Sequence, residues 1–176
     1  GSMHPLVSVS DPVTGAESLA SGYFCIEGDE KACVAAKELV DVLGGRSFKI
    51  AADKKALYHA AAVMSAGHIA ALFSASLELL ADCGVSPDEA RKVLAPLVAS
   101  TAANLEKETP EDALTGPFAR GDRETVEKNL NAIRNSTHSD LAEIYCLLGL
   151  RSLELARKKG VSEEDILAIT AILRSK

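Results

Sequence analysis

The chain has 176 residues, 47% of them hydrophobic and 25% charged, which is enough for one compact core and excludes a disordered polypeptide. Only 4% of the residues are aromatic and Trp is absent, so the core is expected to be aliphatic, rich in Ala and Leu, and helical. A formal charge of -6, with no basic run longer than Arg157-Lys158-Lys159, argues against nucleic acid or an anionic membrane surface as partner.

The amino terminus lacks a basic segment followed by an apolar stretch, so no signal peptide is expected. Gly1-Ser2, with Met3, reads as a cloning remnant. Four cysteines at positions 25, 33, 83 and 146 form no C-x-x-C pair and read as reduced, mostly buried thiols of a cytoplasmic protein. Short β-type runs are predicted at Leu6-Val7-Ser8-Val9, Tyr23-Phe24-Cys25-Ile26 and Ser47-Phe48-Lys49-Ile50. Between the last two, Asp29 is expected to cap a helix from Glu30 to Leu43 that Gly44-Gly45 stops, giving a β-α-β unit. So few strands with one helix cannot cover both faces of a parallel sheet, so residues 4–52 read as the tail of a larger α/β sheet.

Residues 53–176 read as helix after helix. Asp53 is the expected cap of a helix reaching Asp82, ~45 Å long at 1.5 Å per residue and ended by Gly84. Between Lys55 and Glu78 lie 22 residues without Asp, Glu, Lys or Arg, a length that raises the question of a membrane span. His59, Ser65, Gly67, His68, Ser74 and Ser76 interrupt the run, and the expectation is a central helix buried all round by its neighbours. Ser86-Pro87-Asp88-Glu89 forms a capping box for a helix to about Lys107, kinked at Pro96. Thr109, Asp122 and Ser162 open further helices. A long one from about His138 to Lys159 carries Leu141, Ile144, Tyr145, Leu148, Ser152 and Leu155 on one stripe.

Residue patterns exclude several chemistries. No G-x-G-x-x-G follows a strand, so the chain by itself is not expected to hold a dinucleotide. No Glu-x-x-His pair supports a di-iron centre, and His59 and His68, nine apart, fall on roughly opposite helix faces; no metal site is expected. Two groups remain. Lys55 and His59, four apart, project from one helix face with Tyr58 beside them; a lysine against an apolar wall releases its proton more readily, and an imidazole can orient a substrate oxygen. The same spacing also suits a solvated first-turn lysine and a core histidine. The turn Leu114-Thr115-Gly116-Pro117, followed by Arg120-Gly121-Asp122, offers backbone N–H groups and a guanidinium to an anion or carbonyl, and equally suits a rigid turn between helices.

Lys55-Ala56-Leu57-Tyr58-His59-Ala60-Ala61-Ala62-Val63, then Leu114-Thr115-Gly116-Pro117 and Arg120-Gly121-Asp122, resemble in order and spacing the helical domain of Rossmann-like proteins carrying domain of unknown function 2520. The resemblance spans roughly Lys54 to Leu155, and His4-Pro5-Leu6 with the strand-helix-strand after it resembles the end of that family's Rossmann domain. It implies a mainly α chain: a helical bundle of the 6-phosphogluconate dehydrogenase C-terminal-like type over residues 53–176, preceded by an α/β remnant of a Rossmann sheet over residues 4–52. It also implies kinship with ketopantoate reductase and pyrroline-5-carboxylate reductase. Several of those enzymes place a Lys and an Asn four apart where this chain has Lys55 and His59, and relatives often carry an Asn near Gly67. The His4-Pro5 pair is similar to a substrate-facing His-Pro turn of prephenate dehydrogenases.

What the resemblance implies is the substrate-binding and dimerising portion of an NAD(P)-dependent oxidoreductase. NADP or NAD would be held by an upstream half, with none expected on this chain. Lys55 and His59 are then the catalytic residues, and Tyr58, His4, Thr115, Gly116, Pro117 and Arg120 meet a small-molecule substrate, in one copy or across a homodimer. The alternative is a non-catalytic dimeric sensor or scaffold.

Overall fold

The computed structural model describes residues 1–175 except 10, 12 and 14. The chain is mainly helical and divides into two compact units, Gly1–Ala71 and Leu72–Lys176. The composition changes near residue 52, but the compact units part some twenty residues later, because the first apolar helix goes with the sheet.

The first unit holds strands β1 (Ser2–Pro5), β2 (Tyr23–Glu27) and β3 (Arg46–Lys49), with helices α1 (Gly15–Leu19) and α2 (Glu30–Val42). The sheet order is β1-β2-β3. β1 runs antiparallel to β2 with His4 opposite Cys25, and β2 runs parallel to β3 with Cys25 opposite Phe48. The β2-α2-β3 crossover is the expected β-α-β unit. Asp29 caps α2 by accepting from the Ala32 N–H at 2.8 Å, and Gly44, at φ +72°, supplies the left-handed residue that ends it. Phe24, Cys25 and Ile26 on β2, with Cys33 and Val40 on α2, are buried and form this unit's core.

The first strand is not where apolarity places it. Leu6–Val9 is irregular and the strand is Ser2–Pro5. Ser2 and Met3, expected to lie outside the fold, form half of β1 because their backbone groups pair with Glu27 and Ile26. α1 was not foreseen.

The long helix also differs from expectation. Ala52–Lys54 is a single 3-10 turn, Asp53 caps nothing and pairs with Lys54 at 3.0 Å, and α3 begins at Lys55 with no side-chain cap. α3 (Lys55–Ser65) and α4 (Gly67–Asp82) are separated at Ala66, whose φ of -128° and ψ of -71° leave the helical region. A Ser65-Ala66-Gly67 sequence is a place where the ladder breaks. Neither helix contains a buried residue, in contrast to the expected helix buried all round. The run Ala52–Asp82 is long and apolar enough to cross a bilayer, and none of its most apolar window is buried.

The second unit contains most of α4, then α5 (Pro87–Leu105), α6 (Pro110–Ala113), α7 (Gly116–Arg120), α8 (Arg123–Arg134), α9 (Leu141–Lys158) and α10 (Glu163–Arg174). Ser86, Thr109, Asp122 and Ser162 each accept from the expected backbone N–H three residues on. α5 continues as helix through Pro96. α8, α9 and α10 enclose Val126, Leu130, Leu153, Ala156, Ile166, Ile169 and Leu173, each buried Val, Leu or Ile side chain contributing ~2 kcal/mol. Gly149 of α9 belongs to this packing, since a Cβ there would lie 2.9 Å from Phe118 and 3.0 Å from Leu173.

Candidate functional site

The first unit assembles four of the eight nominated residues. α3 begins against the ends of β1 and β2, and its first turn and a half carries Lys55, Tyr58 and His59. The Lys55 ammonium donates to Glu27 Oε1 at 2.6 Å and to Ser2 Oγ at 2.9 Å. Ser2 Oγ also donates to the same Glu27 carboxylate at 3.0 Å. Hydrogen bonds from Lys55 first, then Ser2, hold the Glu27 carboxyl below its ordinary value. The apolar wall that the sequence argument required beside Lys55 is therefore absent. The Glu27 carboxylate takes its place, 2.6 Å from the Lys55 nitrogen.

Tyr58 is half-buried and shares a 2.9 Å hydrogen bond between its hydroxyl and His4 Nδ1. His4 stands edge-on to both Tyr58 and His59, at 5.7 and 5.9 Å between ring centres, and Phe48 of β3 packs edge-on to Tyr58 at 5.9 Å. Burial, with the Cys25 thiol alongside, pushes the Tyr58 phenol above its ordinary value, so it stays protonated at neutral pH. Burial likewise pushes the Cys25 thiol up. His59 is exposed, which removes the core-histidine reading.

Two spaces flank this cluster. A recess of about 70 Å³ is lined by Lys55, Glu27, His59, Cys25, His4 and Tyr58 among others. A cleft of about 710 Å³ is bounded by the chain following β1, by Phe48 and by the Ala61-Ala62 and Ser65-Ala66 face of α3. His4 and Tyr58 line both, so the hydrogen-bonded pair is the wall between them. Sequence reasoning missed Glu27, Phe48 and Cys25. Glu27 had a signal, as a carboxylate closing an apolar strand run at the carboxyl end of a parallel strand, where sites of α/β sheets gather.

The other four nominated residues stand on the second unit. Thr115 is exposed at the start of α7 and makes no side-chain cap bond. Gly116 adopts φ +84°, which the turn requires of a glycine, and Pro117 pre-sets the helix. Arg120 is two-thirds exposed and 3.9 Å from Asp122. Asp122 in turn accepts from the Thr125 N–H and Oγ1 at 3.0 and 2.7 Å, which hold its carboxyl below the ordinary value. None of Thr115, Gly116, Pro117 or Arg120 lines the 230 Å³ or 690 Å³ spaces of this unit. The arginine engaged here is Arg123, which donates to Asp165 at 2.7 Å and Glu164 at 2.8 Å. The four cysteines are free thiols: Cys25 and Cys33 are buried, Cys146 is half-buried, and Cys83, against expectation, is exposed.

Comparison with known proteins places these residues in context. The structure is similar to that of protein TM1727 from Thermotoga maritima, with a TM-score of 0.77 and 26% identity over 89% of this chain and 61% of that one. It also shares its fold with the "putative NADP oxidoreductase BF3122" from Bacteroides fragilis, with a TM-score of 0.63 and 22% identity over 77% of this chain and 51% of that one. The chain thus spans less than two thirds of the length of either. No curated protein matches it. Residues 22–152, which contain every nominated residue except His4, match the model of a family described as Domain of unknown function (DUF2520). By that match, covering most of its length, the chain belongs to the DUF2520 family.

Proposed function

We propose that this chain is the substrate-binding and dimerising portion of an NAD(P)-dependent oxidoreductase. The observation that carries the reading is the convergence of Lys55, His59, Tyr58 and His4 on one recess beside a cleft large enough for a small molecule. The likeness in fold to a protein named as an NADP oxidoreductase supports the reaction class.

The described residues do not themselves fit a dinucleotide. The β2-to-α2 turn has one glycine, Gly28, and is followed by Asp29, whose carboxylate occupies the helix N-terminus where a pyrophosphate would sit. In this reading NADP or NAD is held by a part of the parent protein outside this chain, and its chemistry is assigned to no residue here. On the same reading Lys55 fixes the charge of the recess and His59 stands exposed at its rim.

The dimer is inferred from α3, α4 and α5, whose side chains Leu57, Met64, Ile69, Leu72, Val93 and Leu97 are 43–71% exposed. A second copy of the chain is the partner we assign to those faces.

The test is fluorescence titration of NADPH and NADH against this chain and against the same chain extended upstream. The reading expects binding by the extended protein alone, and binding by neither overturns it. A second reading, a dimeric small-molecule sensor without catalysis, draws on the Lys55–Glu27 pair, in which the ammonium already has a carboxylate partner. Lys55→Ala separates them: loss of turnover in the extended protein supports the enzyme, and unchanged ligand binding with no turnover in either form supports the sensor.

A further inference from the structure

We propose that the 710 Å³ cleft of the first unit binds an uncharged carbonyl or alcohol compound with an apolar body, its oxygen hydrogen-bonded to the Tyr58 hydroxyl beside His4. This deepens the reading above, on which it rests for the pairing of a carbonyl with its alcohol, but the binding itself is a property of this chain.

The walls determine the ligand's character. Leu6, Val7, Phe48, Ala61, Ala62 and Ala66 supply an apolar surface, and no Lys, Arg, Asp or Glu is among the described residues that line the cleft. A carboxylate or phosphate placed there would lose hydration without a counter-charge, which disfavours anions relative to uncharged compounds. Lys55, the nearest nominated cation, lines the small recess on the other side of the His4–Tyr58 wall and is committed to Glu27 at 2.6 Å.

The polar end determines the functional group. Tyr58 has one hydroxyl proton and His4 Nδ1 lies 2.9 Å from it. When Nδ1 carries its proton, it donates to the Tyr58 oxygen, and the phenol proton is free to be donated to a carbonyl in the cleft. When Nδ1 is bare, Tyr58 donates to it, and the phenol oxygen accepts from an alcohol. One pair thus recognises both members of a carbonyl and alcohol couple by exchanging the histidine tautomer, with no charge created in either state. The T-shaped contacts of Phe48 and His59 hold the two rings at this spacing.

The experiment uses this chain with three probes of one shape: acetophenone, 1-phenylethanol and benzoate, followed by amide and methyl NMR shifts. Acetophenone and 1-phenylethanol are expected to shift Phe48, Ala61 and Ala62 saturably, and benzoate to shift them at least tenfold more weakly. Tyr58→Phe, which keeps the ring packing, is expected to weaken the first two by about fivefold, the effect of one lost hydrogen bond. Benzoate binding as well as acetophenone, Tyr58→Phe binding like the native chain, or no shift at these residues each overturns the proposal. Acetophenone binding in a protein whose extended form ignores NADPH and NADH sustains this inference and removes the oxidoreductase reading. Cofactor binding with an unresponsive cleft does the reverse.

Discussion

Helices α8 to α10 are less rich in apolar residues than helices α3 to α5, and the two sets meet opposite fates. The first set shares a closed core in which Val126, Leu130, Ile166 and Ile169 are 0–1% exposed. In the second set only Ala90 is buried. The difference lies in where the charges are. α8 alternates Glu124, Glu127, Lys128 and Asn131 against Val126, Leu130 and Ile133, so one face is committed to the core. α3 and the first half of α4 have no charged face, so nothing in them selects which side a neighbour covers. Hydrophobicity reports that a surface needs cover, and charge periodicity reports whether the same chain supplies it.

The largest way to break this contrast is inside the closed core. Ile169→Ala is expected to cost about 3 kcal/mol, while Leu97→Ala, at a position 62% exposed, is expected to cost under ~0.5 kcal/mol in dilute protein. Urea unfolding at micromolar concentration compares the two. A Leu97→Ala loss as large as that of Ile169→Ala, growing with protein concentration, would mean that a second copy covers α5 as tightly as the core is covered.

Gly121→Ala tests the turn that leads into α8. Gly121 has φ +65°, and an added Cβ would lie 2.8 Å from Val161, so a loss of about 2 kcal/mol is expected in the same assay. Leu97→Asp addresses the open set directly. It should abolish any self-association measured by sedimentation velocity while leaving the circular dichroism of the monomer unchanged.

Acid sharpens the contrast next. Asp165 is held below the ordinary value of 3.8 by the Ser162 hydroxyl and then by Arg123, and Asp122 by Thr125. Because both carboxyls are lowered in the folded state, their contribution is present above pH 3.8 and is lost as pH falls below it through the folded values. The α8 to α10 core should therefore loosen below about pH 4, and Ser162→Ala, costing about 1 kcal/mol at pH 7, should flatten that acid limb. The smallest effect expected is at Gly67, where an added Cβ meets only Val63 at 3.9 Å. Gly67→Ala should stabilise α4 by ~0.5 kcal/mol, read as a small rise in Tm.

Most of the fold was legible because its signals are local. Asp29, Ser86, Thr109, Asp122 and Ser162 start their helices in the way their side chains dictate. What failed depends on distant partners. β1 is a strand because Glu27 and Ile26 pair with Ser2 and Met3, not because of its own apolarity. The break at Ala66 competes with a helix pattern that runs through it. At the site, the spacing of Lys55, Tyr58 and His59 on α3 was readable, whereas Glu27, 28 residues away, was not, and that carboxylate changes the role of Lys55. The Thr115-Gly116-Pro117 turn was readable as a turn from its glycine and proline, and Gly116 adopts φ +84° there.

The Lys55–Glu27 pair has a kinetic consequence. Two opposite charges 2.6 Å apart form a short dipole whose field fades within a few ångströms of water, so the recess and the neighbouring cleft send no long-range pull into solution. A ligand reaches them by unassisted diffusion at an ordinary encounter rate, and raising the ionic strength from roughly 0.02 to 0.3 M should leave that rate nearly unchanged. Replacing Glu27 by Gln would uncover the ammonium, and anionic molecules would then arrive faster and in a salt-dependent manner.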